Sequence, residues 1–109
     1  MQMAAIPFGT TDWSTLERTE HKGETGMAIW RTLETGNIRV RMVEYTPGYR
    51  ADHWCGRGHA LLVLAGELVT ELCDGCRFVT TPGTSYQGTE DAEPHRSGTT
   101  IGAKLFIVD

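Results

Sequence analysis

Four residues carry the densest chemistry in the chain: His53, Cys55, His59 and His95. Three of them lie close together in Gly48-Tyr49-Arg50-Ala51-Asp52-His53-Trp54-Cys55-Gly56-Arg57-Gly58-His59, and His95 follows behind Pro94. Imidazole suits Zn, Cu, Fe and Ni, and thiolate favours soft or borderline metals. Three His and one Cys together therefore point to a transition metal rather than Ca or Mg. Each residue also has a plainer use. A lone His on an apolar strand is commonly a hydrogen-bonded core residue, and a free Cys packs as a small hydrophobe. The joint spacing is what favours ligation. It leaves open whether Cys55 is a ligand or lines the pocket. If Cys55 ligates, a His₃Cys site can be closed and structural. If it stands off, three His leave positions free to polarise a substrate oxygen or activate water.

Those side chains need strands to hold them. Ile38 to Tyr45 alternates, with Ile38, Val40 and Met42 expected to face in and Arg39 and Arg41 to face out, because successive strand side chains point to opposite faces. Met27 to Leu33 precedes it across the turn Glu34-Thr35-Gly36-Asn37, so the two make a hairpin. Thr46-Pro47-Gly48 is a turn, with Pro setting φ and Gly accepting φ > 0. Tyr49 to Cys55 then reads as a strand with His53 and Cys55 on one face and Trp54 and Asp52 on the other. His59 to Ala65 is a near-continuous apolar run, expected as a strand covered on both faces. Leu68 to Cys73 is its partner after Gly66-Glu67. Asp74-Gly75 predicts a type I′ hairpin with φ > 0 twice, returning as Arg77 to Thr80. Pro82-Gly83 turns into a short strand from Thr84 to Gln87, Gly88 to Asp91 is loop, and Glu93 to Ser97 is a strand bearing His95. Thr100 to Val108 is the last strand, with Ile101, Ala103, Leu105 and Ile107 on one side. Upstream, Thr11 or Asp12 caps a short helical turn through Trp13 to Glu17, and His21 to Gly26 reads as a solvated loop. Eight to ten short strands with regular turns specify an all-β sandwich or barrel, and a double-sheet jelly roll handles that number. The chain reads as one domain over 1–109, with 1–25 an N-terminal extension and 27–108 the barrel.

Ten Lys and Arg against fourteen Asp and Glu give a net charge of −4, which argues against a nucleic-acid footprint. No apolar segment approaches the roughly 20 residues that span a bilayer, and no secretory leader is evident at the start. Three cysteines are an odd number, too few for a disulfide framework, so a reducing, cytoplasmic setting is expected. Cys73-Asp74-Gly75-Cys76 lacks the second half of a zinc-ribbon signature and reads as the shoulders of a hairpin. Trp30, Tyr49, Trp54 and Tyr86 are candidates for a pocket wall or for core. Glu44 and Arg50 read as surface groups, and Asp52 as a supporting partner only.

The central stretch resembles the first cupin motif: G, five residues, H-x-H, three or four residues, E, six residues, G. Here Gly48, His53-Trp54-Cys55, His59 and Gly66 follow that order, with Cys55 where the second His belongs and His59 where the Glu belongs. Pro82-Gly83 and Pro94-His95-Arg96 are similar to the second motif, without its inner P-x-G and with Thr99 where Asn is common. More narrowly, Asp52-His53-Trp54-Cys55 resembles small bacterial proteins grouped as DHCW-motif cupin-fold proteins. The resemblance implies a cupin-type double-stranded β-helix, a metal site on His53, Cys55, His59 and His95, and a homodimer paired through strand edges. It also implies dioxygenase- or isomerase-like chemistry on a small polar molecule, or a non-catalytic binding or sensor module. Replacing the Glu by a neutral His weakens the claim of hard cations and shifts the expectation to Zn, Fe or Ni.

Overall fold

Proline–glycine turns set the corners. In the computed structural model, which describes residues 2–89 and 93–109, Gly48 and Gly83 sit at φ 79° and 84°. Behind them Tyr49 N–H donates to the Thr46 carbonyl at 3.0 Å and Thr84 N–H to that of Thr81 at 3.0 Å. Each is a turn with Pro at its first central position and Gly at its second, as expected. The expected loop positions Glu90 and Asp91 lie outside the described residues.

Between the turns run nine strands: β1 (Arg18–Lys22), β2 (Met27–Thr35), β3 (Ile38–Tyr45), β4 (His59–Gly66), β5 (Leu68–Leu72), β6 (Arg77–Thr80), β7 (Ser85–Gly88), β8 (His95–Gly98) and β9 (Ala103–Val108). They form a six-stranded sheet in the order β1-β2-β3-β9-β4-β7 and a three-stranded sheet in the order β6-β5-β8, every pairing antiparallel. The two sheets are not hydrogen-bonded into one closed ring. Isolated bridges stitch them instead, with Arg50 pairing to both Thr25 and Gly98, and Cys55 to His95. Between them lies a core that includes Val43, Leu61, Val63, Leu68, Leu105 and Ile107. Burying side chains of that size contributes roughly 1.5–3 kcal/mol each. A 3-10 turn, Trp13–Thr15, is capped by Asp12, whose carboxylate accepts from Ser14 N–H at 3.1 Å. No helix among the described residues is long and apolar enough to cross a membrane.

Several expectations are corrected. In β3 the parity is reversed: Arg41, Val43 and Tyr45 are buried, while Val40 and Met42 lie on the outer face. The arginines turn inward because a buried carboxylate and an aromatic face receive them there. The His21–Gly26 loop starts only at Gly23, since His21 belongs to β1 and stacks on Trp30 at 3.9 Å. Part of the N-terminal extension is thus the edge strand of the large sheet. Tyr49 to Cys55 is not a continuous strand: it pairs only at Arg50 and Cys55 and bends at Asp52 and His53. Asp52 there bonds the neighbouring His53 ring at 2.8 Å.

The apolar run in β4 is covered on one face only, because Leu62 and Leu64 are exposed. The Asp74-Gly75 hairpin is not type I′. Leu72 N–H donates to the Cys76 carbonyl across a three-residue loop in which only Gly75 has positive φ. Finally, Ile101 does not share the inward side of β9; it is 64% exposed, because Gly102 at φ 102° breaks the alternation before Ala103.

Candidate functional site

The space between the sheets holds a cavity of about 130 Å³, and His53, Cys55, His59 and His95 all line it. Three segments bring them there. Cys55 and His95 are opposed residues that exchange both backbone hydrogen bonds, at 2.8 and 2.9 Å. Directly opposed residues of an antiparallel pair carry their side chains on one face, so these two donors stand side by side. His59 opens β4 opposite Gly88 of β7, and its ring centroid lies 5.0 Å from that of His95. His53 sits at the rim, its side chain 68% exposed and its Nδ1 bonded to Asp52. Trp54 points away from the cavity, as its parity implies. It is not packed in the core, however: it is 41% exposed, with the Arg96 guanidinium 4.7 Å over its ring.

The walls are aromatic and basic. Trp30, Tyr49 and Tyr86 line the cavity, joined by Tyr45. Tyr86 Oη is 2.9 Å from His59 Nε2, which fixes the ring and leaves Nδ1 buried without a hydrogen-bond partner. Burial, followed by the neighbouring His95, pushes the His59 pKa down to about 4. Burial lowers His95 as well, against a backbone bond at Glu93 that works to raise it. Both imidazoles are therefore neutral at pH 7, the form that ligates metals. Burial also raises the hydroxyls of Tyr49 and Tyr86.

The residue pattern missed the other half of the site. The Asp109 side chain is fully buried and holds three arginines. Arg39 grips it with two bonds, Nε to Oδ1 at 3.0 Å and Nη2 to Oδ2 at 2.8 Å. Arg41 Nη2 donates to Oδ2 at 3.0 Å, and Arg57 Nε lies 3.4 Å from the same oxygen. Burial alone would raise the Asp109 pKa, but the Arg39 bonds and the charges of Arg41, Arg39 and Arg57 outweigh it and hold it low. Arg41 is also stacked over Trp30 at 4.4 Å. The signal that finds this cluster is the shared parity of Arg39 and Arg41 with Val43 and Tyr45.

The donor chemistry fits the transition metal that the resemblance implies. His59 offers an unpartnered buried nitrogen, His95 is neutral, and Cys55 is a free thiol beside it. The donors are not drawn together, though: among the described residues no three His, Cys, Asp or Glu side chains form a group that could hold an ion. Cys73 and Cys76 are free and exposed at their hairpin, Glu44 and Arg50 are exposed as expected, and Arg50 makes one long ion pair, to Glu71 at 3.8 Å.

No protein-family model matches the sequence, and no curated protein does. Solved structures do match in three dimensions. An RmlC-like cupin from Shewanella frigidimarina superposes with a TM-score of 0.74 at 15% identity, covering 95% of this chain and 91% of that one. Ectoine synthase from P. lautus gives 0.73 at 14% identity, over 93% and 76%. A sugar phosphate isomerase from a cupin superfamily, of Silicibacter pomeroyi, gives 0.69 at 16%, over 92% and 74%. Likeness at such low identity is a statement about architecture, since function resides in the site grafted on it. The architecture is two facing antiparallel sheets that enclose a pocket, and the chain has the cupin fold.

Proposed function

We propose that this chain is a metal-binding cupin that takes a small polar molecule into the barrel. His59, His95 and Cys55 hold a divalent transition metal (Zn, Fe or Ni), and His53 supplies a further donor from the rim. The observation that supports this most is that all four residues, coming from three segments, line one interior cavity. When bound, the metal supplies a Lewis acid able to polarise a ligand oxygen. The chain's own residues do the positioning. Tyr86 fixes the His59 ring through Nε2, the Cys55–His95 pairing holds two donors side by side, and the arginines set a positive field across the cavity. Isomerase- or dioxygenase-like turnover is the enzymatic form of this reading. One structural neighbour is a sugar phosphate isomerase.

A second reading has its own support. Because Cys55 stands beside His95, it can complete a four-coordinate closed site, and closed sites are typically structural. The protein would then bind or sense without turnover. Metal analysis of protein purified without chelator separates the two. We expect one Zn, Fe or Ni per chain, falling at least tenfold in His59→Ala and His95→Ala. Metal retained in Cys55→Ser makes the site open and Cys55 a pocket residue; metal lost makes it a ligand. Wild-type protein without stoichiometric Zn, Fe, Ni, Mn or Cu overturns the proposal.

A further inference from the structure

The barrel interior has two chambers. Beyond the inner cavity lies a vestibule of about 330 Å³ bounded by Leu72, Phe78, Gly88 and Thr70 and lined mostly by apolar atoms, with Glu93 the one acidic residue among the described residues that line it. Arg57, His59, Tyr86 and His95 belong to both chambers. The three rings line the boundary the chambers share, with centroids 5.0 Å apart for His59–His95, 5.6 Å for His59–Tyr86 and 5.9 Å for Tyr86–His95.

The inner chamber carries unbalanced charge. Arg39, Arg41 and Arg57 line it, and among the described residues Asp109 is the one acidic residue that does so. Three guanidiniums thus face one acidic side chain. Arg41 bears the greatest strain of this. Its side chain is 8% exposed, a single nitrogen reaches Asp109, and its Nε is buried without any hydrogen-bond partner. A buried guanidinium stays charged and presents a planar fork of donors that matches a carboxylate. Arg57, half-exposed, is the cation that an entering molecule meets in either chamber.

We propose that the inner chamber is an oxyanion subsite and that the ligand is a small carboxylate with a short apolar tail. The head lies against Arg41 and Arg57 beside Asp109, and the tail lies in the vestibule between Leu72 and Phe78. This rests on the reading that the barrel cavity is the ligand site, but the head group is held by arginines and needs no metal.

Hexanoate, 1-hexanol and inorganic phosphate, titrated into the full chain at constant ionic strength by calorimetry, test it. Hexanoate should bind at least tenfold tighter than 1-hexanol. Arg57→Gln, on a half-exposed side chain, should weaken hexanoate roughly tenfold, one charge-assisted contact, and leave 1-hexanol within twofold. Binding that survives a chelator supports the arginine subsite. Hexanol binding as tightly as hexanoate, phosphate binding more tightly than hexanoate, or hexanoate binding that is lost with chelator but kept in Arg57→Gln each overturns it. If hexanoate fails while Zn binds stoichiometrically, the carboxylate assignment falls and the metal reading stands. If neither binds, both fall.

Discussion

Asp109→Asn removes the side-chain negative charge from a buried ionic cluster in the barrel. The carboxylate is wholly buried and accepts two bonds from Arg39 and one from Arg41. An amide of the same shape loses one acceptor oxygen and turns N–H donors toward guanidinium donors. Removing one partner of a buried ion pair costs roughly 3–5 kcal/mol, because the other charge is left without compensation. Arg41 carries most of that cost, being nearly buried, while Arg39 and Arg57 keep contact with water. We therefore take the low end, about 3 kcal/mol. For a domain of this size each kcal/mol moves Tm by roughly 4–8 °C, so thermal melting followed by circular dichroism at pH 7 should fall by about 12–24 °C. Adding Arg41→Met to Asp109→Asn should recover part of the loss, because the two sites share one interaction. The pH dependence has a definite sign. The Asp109 pKa is depressed in the folded state, so its contribution is complete above the unfolded value near 3.9 and disappears as pH falls through the lower folded value. The gap in stability between wild type and Asp109→Asn should accordingly narrow below about pH 4. A Tm change under about 4 °C at pH 7, equivalent to less than about 1 kcal/mol, would refute the view that this cluster is a buried, charge-coupled unit.

Two further outcomes are expected. Gly66 joins β4 to β5 at φ 77°, and a Cβ there would run into the backbone carbonyl of Gly102. Gly66→Ala should cost about 2–3 kcal/mol, seen as a lower urea midpoint with an unchanged slope, and an unaltered midpoint contradicts the geometry. Tyr86→Phe deletes the hydroxyl 2.9 Å from His59 Nε2. It should cost about 1 kcal/mol and shift the His59 imidazole nitrogen resonances, and His59 resonances identical to wild type would show that the bond does not form in solution.

Much of the architecture was legible in residue order because local chemistry decides it. Pro47-Gly48 and Pro82-Gly83 dictate their turns, since Pro sets one φ and Gly tolerates the other. The alternation of Ala103, Leu105 and Ile107 specifies which side of β9 is buried. The spacing of His53, Cys55 and His59, with His95 downstream, marks four residues that line one cavity. The His53 side chain went outward nonetheless, because Asp52 captures it locally.

Parity within a strand assigns two faces but does not say which one is inside, and in β3 the tertiary structure chose the face bearing the arginines. Hydrophobicity favoured Ile38, Val40 and Met42 as the interior set. What decided otherwise lies far off in the chain: Asp109, 68 residues from Arg41, and the ring of Trp30 beneath the guanidinium. A charge is tolerated inside only where a partner waits for it, and only folding brings that partner into place. The sequence by itself determined most of the strands, the two Pro-Gly turns and the metal-capable side chains. The charge of the cavity, and with it the kind of molecule the cavity suits, was decided by tertiary structure, because it depends on ion pairs between residues that no local pattern connects.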